Sequence, residues 1–211
     1  MKLYVDPRSS SCLRVLSALA FKGISIERVE LDLAQGEQFR SAVAQGNPGG
    51  LLPVLELEGG EVLTQSMAII EWLEISFPQP SCVPVNAIER ARMRELCSLV
   101  ASDLHVMASL RLRRALTTRL AISEAKGVTW SRDWTEEGLR SLENTLKASA
   151  MAHAVGNAIS MADFFVVPAL FNAERSGIDL GAFPIATKVY ESALLHPAFD
   201  CVLQQRTTLG T

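Results

Sequence analysis

The stretch Leu3-Tyr4-Val5-Asp6-Pro7-Arg8-Ser9-Ser10-Ser11-Cys12-Leu13-Arg14 decides how the chain is read. Leu3-Tyr4-Val5 is short and apolar, and Pro7 closes it, which predicts a buried strand. Beyond the serines, Leu13, Leu16, Leu19 and Ala20 recur at helical spacing as far as Gly23, so a helix starts within the serine cluster. Hydroxyls thereby stand beside the unpaired N–H groups of a first helical turn. An anion there, a thiolate included, is stabilised by those donors and by the helix dipole. A serine that only caps the helix leaves the same trace, so both roles stay open at this point.

Working outward, residues 25–31 alternate apolar and polar side chains as a half-buried strand does, and residues 36–45 are polar and weakly helical. Gly46-Asn47-Pro48-Gly49-Gly50 is a loop by composition. Leu51-Leu52-Pro53-Val54-Leu55-Glu56-Leu57 is a strand that opens with a proline, and Glu58-Gly59-Gly60-Glu61 turns tightly into Val62-Leu63-Thr64. A helix follows with Ser66, Ile69, Ile70, Leu73 and Phe77 on one face, ending before Pro78 and Pro80. The first crossover predicts parallel strands. The order βαβ-α-ββα is a thioredoxin-like arrangement.

The proline-bearing residues 78–84 read as a linker between a domain at 1–78 and a second at 85–211. No strand pair is evident in the second. Asn86-x-x-Glu89 has the spacing of a capping box and opens a long helix through Ile88, Leu96, Leu99, Val100, Val106, Met107 and Leu110. Residues 130–149 support another helix. Ile159-Ser160-Met161-Ala162-Asp163-Phe164 combines a capping box with the positions of a hydrophobic staple. Pro184 and Pro197 each stand where a first helical turn tolerates proline. The expected architecture is an α/β domain followed by an all-α domain.

With 48% hydrophobic and 20% charged residues among 211, the chain can bury a sizeable core. A net charge of -3 gives no electrostatic case for nucleic acid or an anionic membrane. No apolar run reaches spanning length, and the first residues lead into a strand instead of a signal peptide. Cys12, Cys82, Cys97 and Cys201 form no CxxC pair and no metal-ligand spacing. Free thiols in a reducing cytoplasm are the expectation, with no metal.

Several segments together resemble the zeta-class glutathione transferases. They are Arg8 to Val15 with Ala18 to Ile24, Asn47-Pro48, Leu52-Pro53-Val54, and Leu63-Thr64-Gln65-Ser66-Met67-Ala68-Ile69-Ile70-Glu71-Trp72-Leu73-Glu74. Met161-Ala162-Asp163, Val167-Pro168 and Asn172-Ala173-Glu174-Arg175 extend the likeness over nearly the full chain. That family includes maleylacetoacetate and maleylpyruvate isomerases, which use glutathione to turn a cis double bond trans by thiolate addition, rotation and elimination. The resemblance implies that Pro53 is cis and that the Leu52 backbone pairs with the cysteinyl unit of glutathione. It implies that Gln65 and Ser66 receive the γ-glutamyl carboxylate at a helix start. Ser9, Ser10 and Ser11 become donors that keep the sulfur ionised. Arg8, Arg111 and Arg175, with His105, become the cationic and polar lining for a diacid, because guanidinium binds carboxylate through two parallel hydrogen bonds. Family members are usually homodimers, and Asp103 is expected to reach the partner's glutathione.

Two departures from the family stand out. The motif cysteine of the animal enzymes falls on Ser11, with Cys12 one place later, and Gly49 and Gly50 replace longer polar residues that contact the glycyl end of glutathione. Three other activities share these residues. A general glutathione transferase conjugating electrophiles needs no arginines in its pocket. A non-catalytic, partner-binding relative needs no glutathione. A thiol–disulfide reductase needs Cys12 exposed and acidic.

Overall fold

The computed structural model describes residues 1–40 and 44–209, with side chains as far as 204. The chain forms two compact units, Met1–Cys82 with the segment that begins at His196, and Val83–Leu195.

In the first unit the sheet is built on β1 (Lys2–Val5), whose Leu3, Tyr4 and Val5 are buried. It pairs in parallel with β2 (Glu27–Glu30) and antiparallel with β3 (Val54–Glu56), which pairs antiparallel with β4 (Val62–Thr64). The strand order is β2-β1-β3-β4. The parallel pair follows from the crossover through α1 (Ser10–Phe21), and the antiparallel pair from the tight turn at 57–61. β2 is shorter and more exposed than its alternation predicts, because it lies at a sheet edge. The helix expected over 36–45 is, in its described part, one 3-10 turn at Glu37–Phe39; residues 41–43 lie outside the described residues.

The helix α2 (Ser66–Ser76) buries Ser66, Ile69, Ile70 and Leu73, the face its spacing predicts, and packs on α1. At the far end of α1, Lys22 Nζ donates to Glu74 Oε2 at 2.7 Å and to the carbonyl oxygens of Phe77 at 2.7 Å and Pro80 at 3.0 Å. The expectation that 85–211 forms one helical domain is corrected at its end. The turn Pro197–Phe199 and α9 (Asp200–Leu209) pack on α1, with Ser17 Oγ 3.4 Å from Cys201 Sγ. α1 is buried along nearly its whole length, so its face away from the sheet needs a cover. The returning chain supplies it.

The second unit comprises α3 (Ala87–Ser98), a π-helical turn (Leu99–Leu104), α4 (His105–Met107), α5 (Leu110–Leu120), α6 (Glu124–Leu146), α7 (Met161–Arg175) and α8 (Pro184–Leu194). Buried α7 forms its core, from Met161 to Phe171 without interruption. The Asp163 carboxylate, fully buried, takes the N–H and O–H of Ser160 and the N–H of Ala154. Asn86 accepts from the N–H groups of Ile88 and Glu89 and so starts α3. The single long helix expected from Asn86 to Leu110 is interrupted by the π turn. Inserting a residue rotates the downstream turns by about 100°, and Val106, counted as core by spacing, is half exposed.

Candidate active site

The N-terminal end of α1 is organised by Asp6, a residue that sequence reasoning passed over. Its carboxylate, 4% exposed, accepts from the N–H groups of Arg8 and Leu33, and its carbonyl accepts from Ser9 N–H at 3.0 Å. This is an aspartate-led turn of the kind that Asp-Pro at a strand end signals. It delivers Ser9 to the N-cap position of α1 in extended geometry, yet the Ser9 side chain caps nothing. Instead Ser9 Oγ lies 2.9 Å from Ser11 Oγ, and Ser11 Oγ donates to the Leu52 carbonyl at 2.9 Å. Three expected site residues are thus joined across two elements distant in sequence. Ser10, at the first helical position, is buried.

The Leu52–Pro53 peptide is cis, as the resemblance implies. Leu52 N–H makes no hydrogen bond among the described residues. The loop ahead of it is clamped by Asn47, whose side chain bonds both the N–H and the C=O of Leu51. Gly50 has φ +60°, and a Cβ there would run into the Phe39 ring. Phe39 therefore explains why a longer side chain is absent at that position.

At the start of α2, Gln65 holds φ 72°, a conformation that non-glycine residues adopt rarely and that concentrates at functional sites. Ser66 follows, 6% exposed, and its Oγ accepts from Arg14 Nη1 at 3.3 Å. Arg14, 2% exposed, is a second residue that sequence reasoning missed. The available signal was a charged side chain among the apolar positions of α1.

Two further residues flank the serines. Arg8 is held by Asp6 at 3.2 and 3.1 Å and by Asp32 at 2.9 Å. Those contacts, Asp6 foremost, push its pKa higher still. Cys12 is fully buried, and burial pushes its thiol up to about 12. A redox nucleophile needs the opposite.

In the second unit, Asp103 lies exposed in the π turn and His105 begins α4. π turns recur at functional positions. This one is held by α6: a Cβ on Gly138 would come within 2.8 Å of Leu104 Cγ, and Trp130 Nε1 donates to the Met107 carbonyl at 3.1 Å. Arg111 is exposed on α5. Arg175 ends α7, with Nη2 2.6 Å from Asn172 Oδ1 and its guanidinium 5.7 Å from the Phe171 ring centre.

The pattern of the "Glutathione S-transferase, N-terminal domain" family matches residues 8–75. A probable maleylacetoacetate isomerase of Vibrio cholerae is 35% identical over 199 residues, covering 93% of this chain and 92% of that one. The holo structure of a maleylpyruvate isomerase, a bacterial zeta-class glutathione S-transferase, superimposes with a TM-score of 0.89 at 32% identity over 96% of both chains. The maleylacetoacetate isomerase of Anaeromyxobacter dehalogenans 2CP-1, solved with dicarboxyethyl glutathione and citrate in its active site, gives 0.84 at 35% identity over 95% and 93%. With that identity along nearly its whole length, the chain belongs to the zeta-class glutathione S-transferase family, alongside the maleylacetoacetate and maleylpyruvate isomerases.

Proposed function

We propose that the protein is a glutathione-dependent cis–trans isomerase of a maleyl-type diacid, maleylacetoacetate or maleylpyruvate. The observation that carries this reading is the hydroxyl cluster of Ser9 and Ser11 bonded to the backbone of Leu52 beside cis Pro53. The residues fit the tripeptide. Leu52 presents a backbone N–H and C=O on which an extended peptide pairs as on a strand edge. Ser66 and the first N–H groups of α2 suit the γ-glutamyl carboxylate, with exposed Gln65 beside them. Bound glutathione supplies a thiolate that adds to the double bond and departs once the bond has turned, with no net redox change. Ser9 and Ser10, aided by the dipole of α1, favour the ionised sulfur. Arg111, His105 and Arg175 hold the carboxylates and the charge that develops on the diacid. Arg8 is left out of this set, because two carboxylates already hold it.

The protein works in this reading as a cytoplasmic homodimer, Asp103 of one subunit reaching the glutathione of the other. Four free cysteines fit a reducing compartment, and no described helix is long and apolar enough to cross a membrane. Exposed Val85 and Ile88, at 94% and 70%, are apolar surface of the kind a subunit contact covers. The test is turnover of maleylacetoacetate and maleylpyruvate, with and without glutathione, against a standard aromatic electrophile. Glutathione-dependent isomerisation of either diacid is expected. Conjugation of the electrophile with neither diacid turned over would refute the isomerase reading and leave a general transferase.

A further inference from the structure

Ser11, the position where this chain parts from the animal family pattern, has a hydroxyl that is fully employed. A serine has one proton to donate, and that of Ser11 goes to the Leu52 carbonyl at 2.9 Å. The 2.9 Å contact between Ser9 and Ser11 must then use the Ser9 proton. The bonds run from Ser9 to Ser11 to Leu52 C=O. In this direction Ser9 has only lone pairs left, which repel an anion. From this geometry we infer that Ser11 is a positioning residue, a hydroxyl relay that couples occupation of the Leu52 carbonyl to the donor strength of Ser9. The inference rests on the glutathione reading above.

The coupling follows from counting protons. A thiolate beside Ser9 requires the Ser9 proton, so Ser9 withdraws it from Ser11. Ser11 then gains by turning its own proton from Leu52 to Ser9 Oγ. Both O–H dipoles now point their positive ends toward the anion, and the hydroxyl that receives a bond becomes the stronger donor. The turn deprives the carbonyl of Leu52, a residue 5% exposed, of its donor, and an unsatisfied buried carbonyl is costly. A peptide N–H paired along Leu52 restores that bond. A tripeptide seated with its cysteinyl N–H on the Leu52 oxygen therefore releases Ser11 to serve Ser9. No covalent bond changes in the protein: each serine keeps its proton, and the thiol proton leaves to water. The weak S–H donor of a cysteine serves such a relay less well than the hydroxyl present here.

The test is the pKa of the protein-bound glutathione thiol, read from thiolate ultraviolet absorbance against pH, in the wild type, Ser11→Ala and Ser11→Cys. Binding of S-methylglutathione, which has no thiol proton, is measured alongside by calorimetry. Polarisation of roughly 10–30% per bond predicts a thiol pKa about half a unit higher in Ser11→Ala, a roughly threefold smaller thiolate-to-thiol ratio. Ser11→Cys falls between. S-methylglutathione is expected to bind all three proteins with Kd values within about twofold. A thiol pKa in Ser11→Ala that is unchanged, or lowered, overturns the relay. So does a loss of S-methylglutathione affinity that accounts for the whole effect, since Ser11 would then only shape the site. Wild-type protein that binds neither compound overturns the glutathione reading itself, a result distinct from the others.

Discussion

Replacing Lys22 with methionine removes the cation that closes the C-terminal end of α1. The Lys22 side chain is fully buried, its Nζ bonded to Glu74 Oε2 and to two carbonyl oxygens, those of Phe77 and Pro80. Breaking a buried pair by deleting one partner costs about 3–5 kcal/mol, because the other charge is left behind. Glu74 is not wholly orphaned: it keeps Ser81 O–H and the Cys82 N–H, and its side chain is 16% exposed. The lower end, about 3 kcal/mol, is the expected loss, and for a chain of this size it lowers Tm by about 6–12 °C. Thermal and urea denaturation measure it. The Ser9 end of α1 lies about 18 Å away along the helix axis, so kcat well below the melting range is expected to stay at the wild-type value. Lys2→Met, which breaks an exposed pair with Glu27, is the control, with an expected loss below about 1 kcal/mol. A loss in Lys22→Met no larger than the control would refute the claim that this clamp holds α1, α2 and the linker together.

Ser9→Ala is expected to lower kcat about a hundredfold with little change in glutathione affinity; steady-state kinetics and calorimetry check it. Gly138→Ala forces a methyl onto Leu104 beside the π turn, with an expected cost of about 1–3 kcal/mol by urea denaturation and a raised KM for the diacid through displaced His105. Gly50→Ala combines a left-handed backbone with the Phe39 ring and is expected to lose about 1–2 kcal/mol in the same assay. For Glu74, burial alone would raise the carboxyl, but hydrogen bonds from Lys22, Ser81 and Cys82 outweigh it and hold the pKa below the ordinary value. Its stabilisation is therefore complete above the unfolded value of about 4.3 and lost as pH falls through the lower folded value. Denaturation midpoints across that acid range should fall more steeply in the wild type than in Glu74→Gln.

Local chemistry was legible in the sequence, and encounters at a distance were not. The strand before Pro7, the start of α2 at Gln65-Ser66 and the Ser160–Asp163 cap of α7 each lie within a few residues, so a pattern is enough to find them. Cis Pro53 came from a motif, since no periodicity distinguishes a cis proline from a trans one. For Arg8, adjacency to the serines is visible in sequence, whereas Asp32, 24 residues on, becomes its partner only when β2 lies beside β1. Arg14 and Ser66, 52 apart, meet by the same kind of packing. The π turn left no trace in its own segment, and the space Leu104 occupies there is left by Gly138 on another helix. The return of the chain to α1 after His196 is likewise a property of which surface needed covering.

Ser9 favours chemistry by what it declines to do. A serine at an N-cap normally accepts from the second or third N–H of its helix, a bond whose loss costs about 1 kcal/mol. In the second unit Ser109 takes Leu112 N–H, and Ser123 takes Lys126 N–H, in that ordinary way. In the first unit neither helix beginning at the candidate site does so: Ser9 turns to Ser11, and Gln65 sits at φ 72° with no side-chain cap. These two helix starts, those of α1 and α2, are therefore uncapped by the side chains of Ser9 and Gln65. A purely structural serine would have been used as a cap. Hence Ser9→Ala, which loses only the bond to Ser11, should cost less stability than Ser109→Ala, which loses about 1 kcal/mol, and the opposite order would return Ser9 to the role of a helix cap.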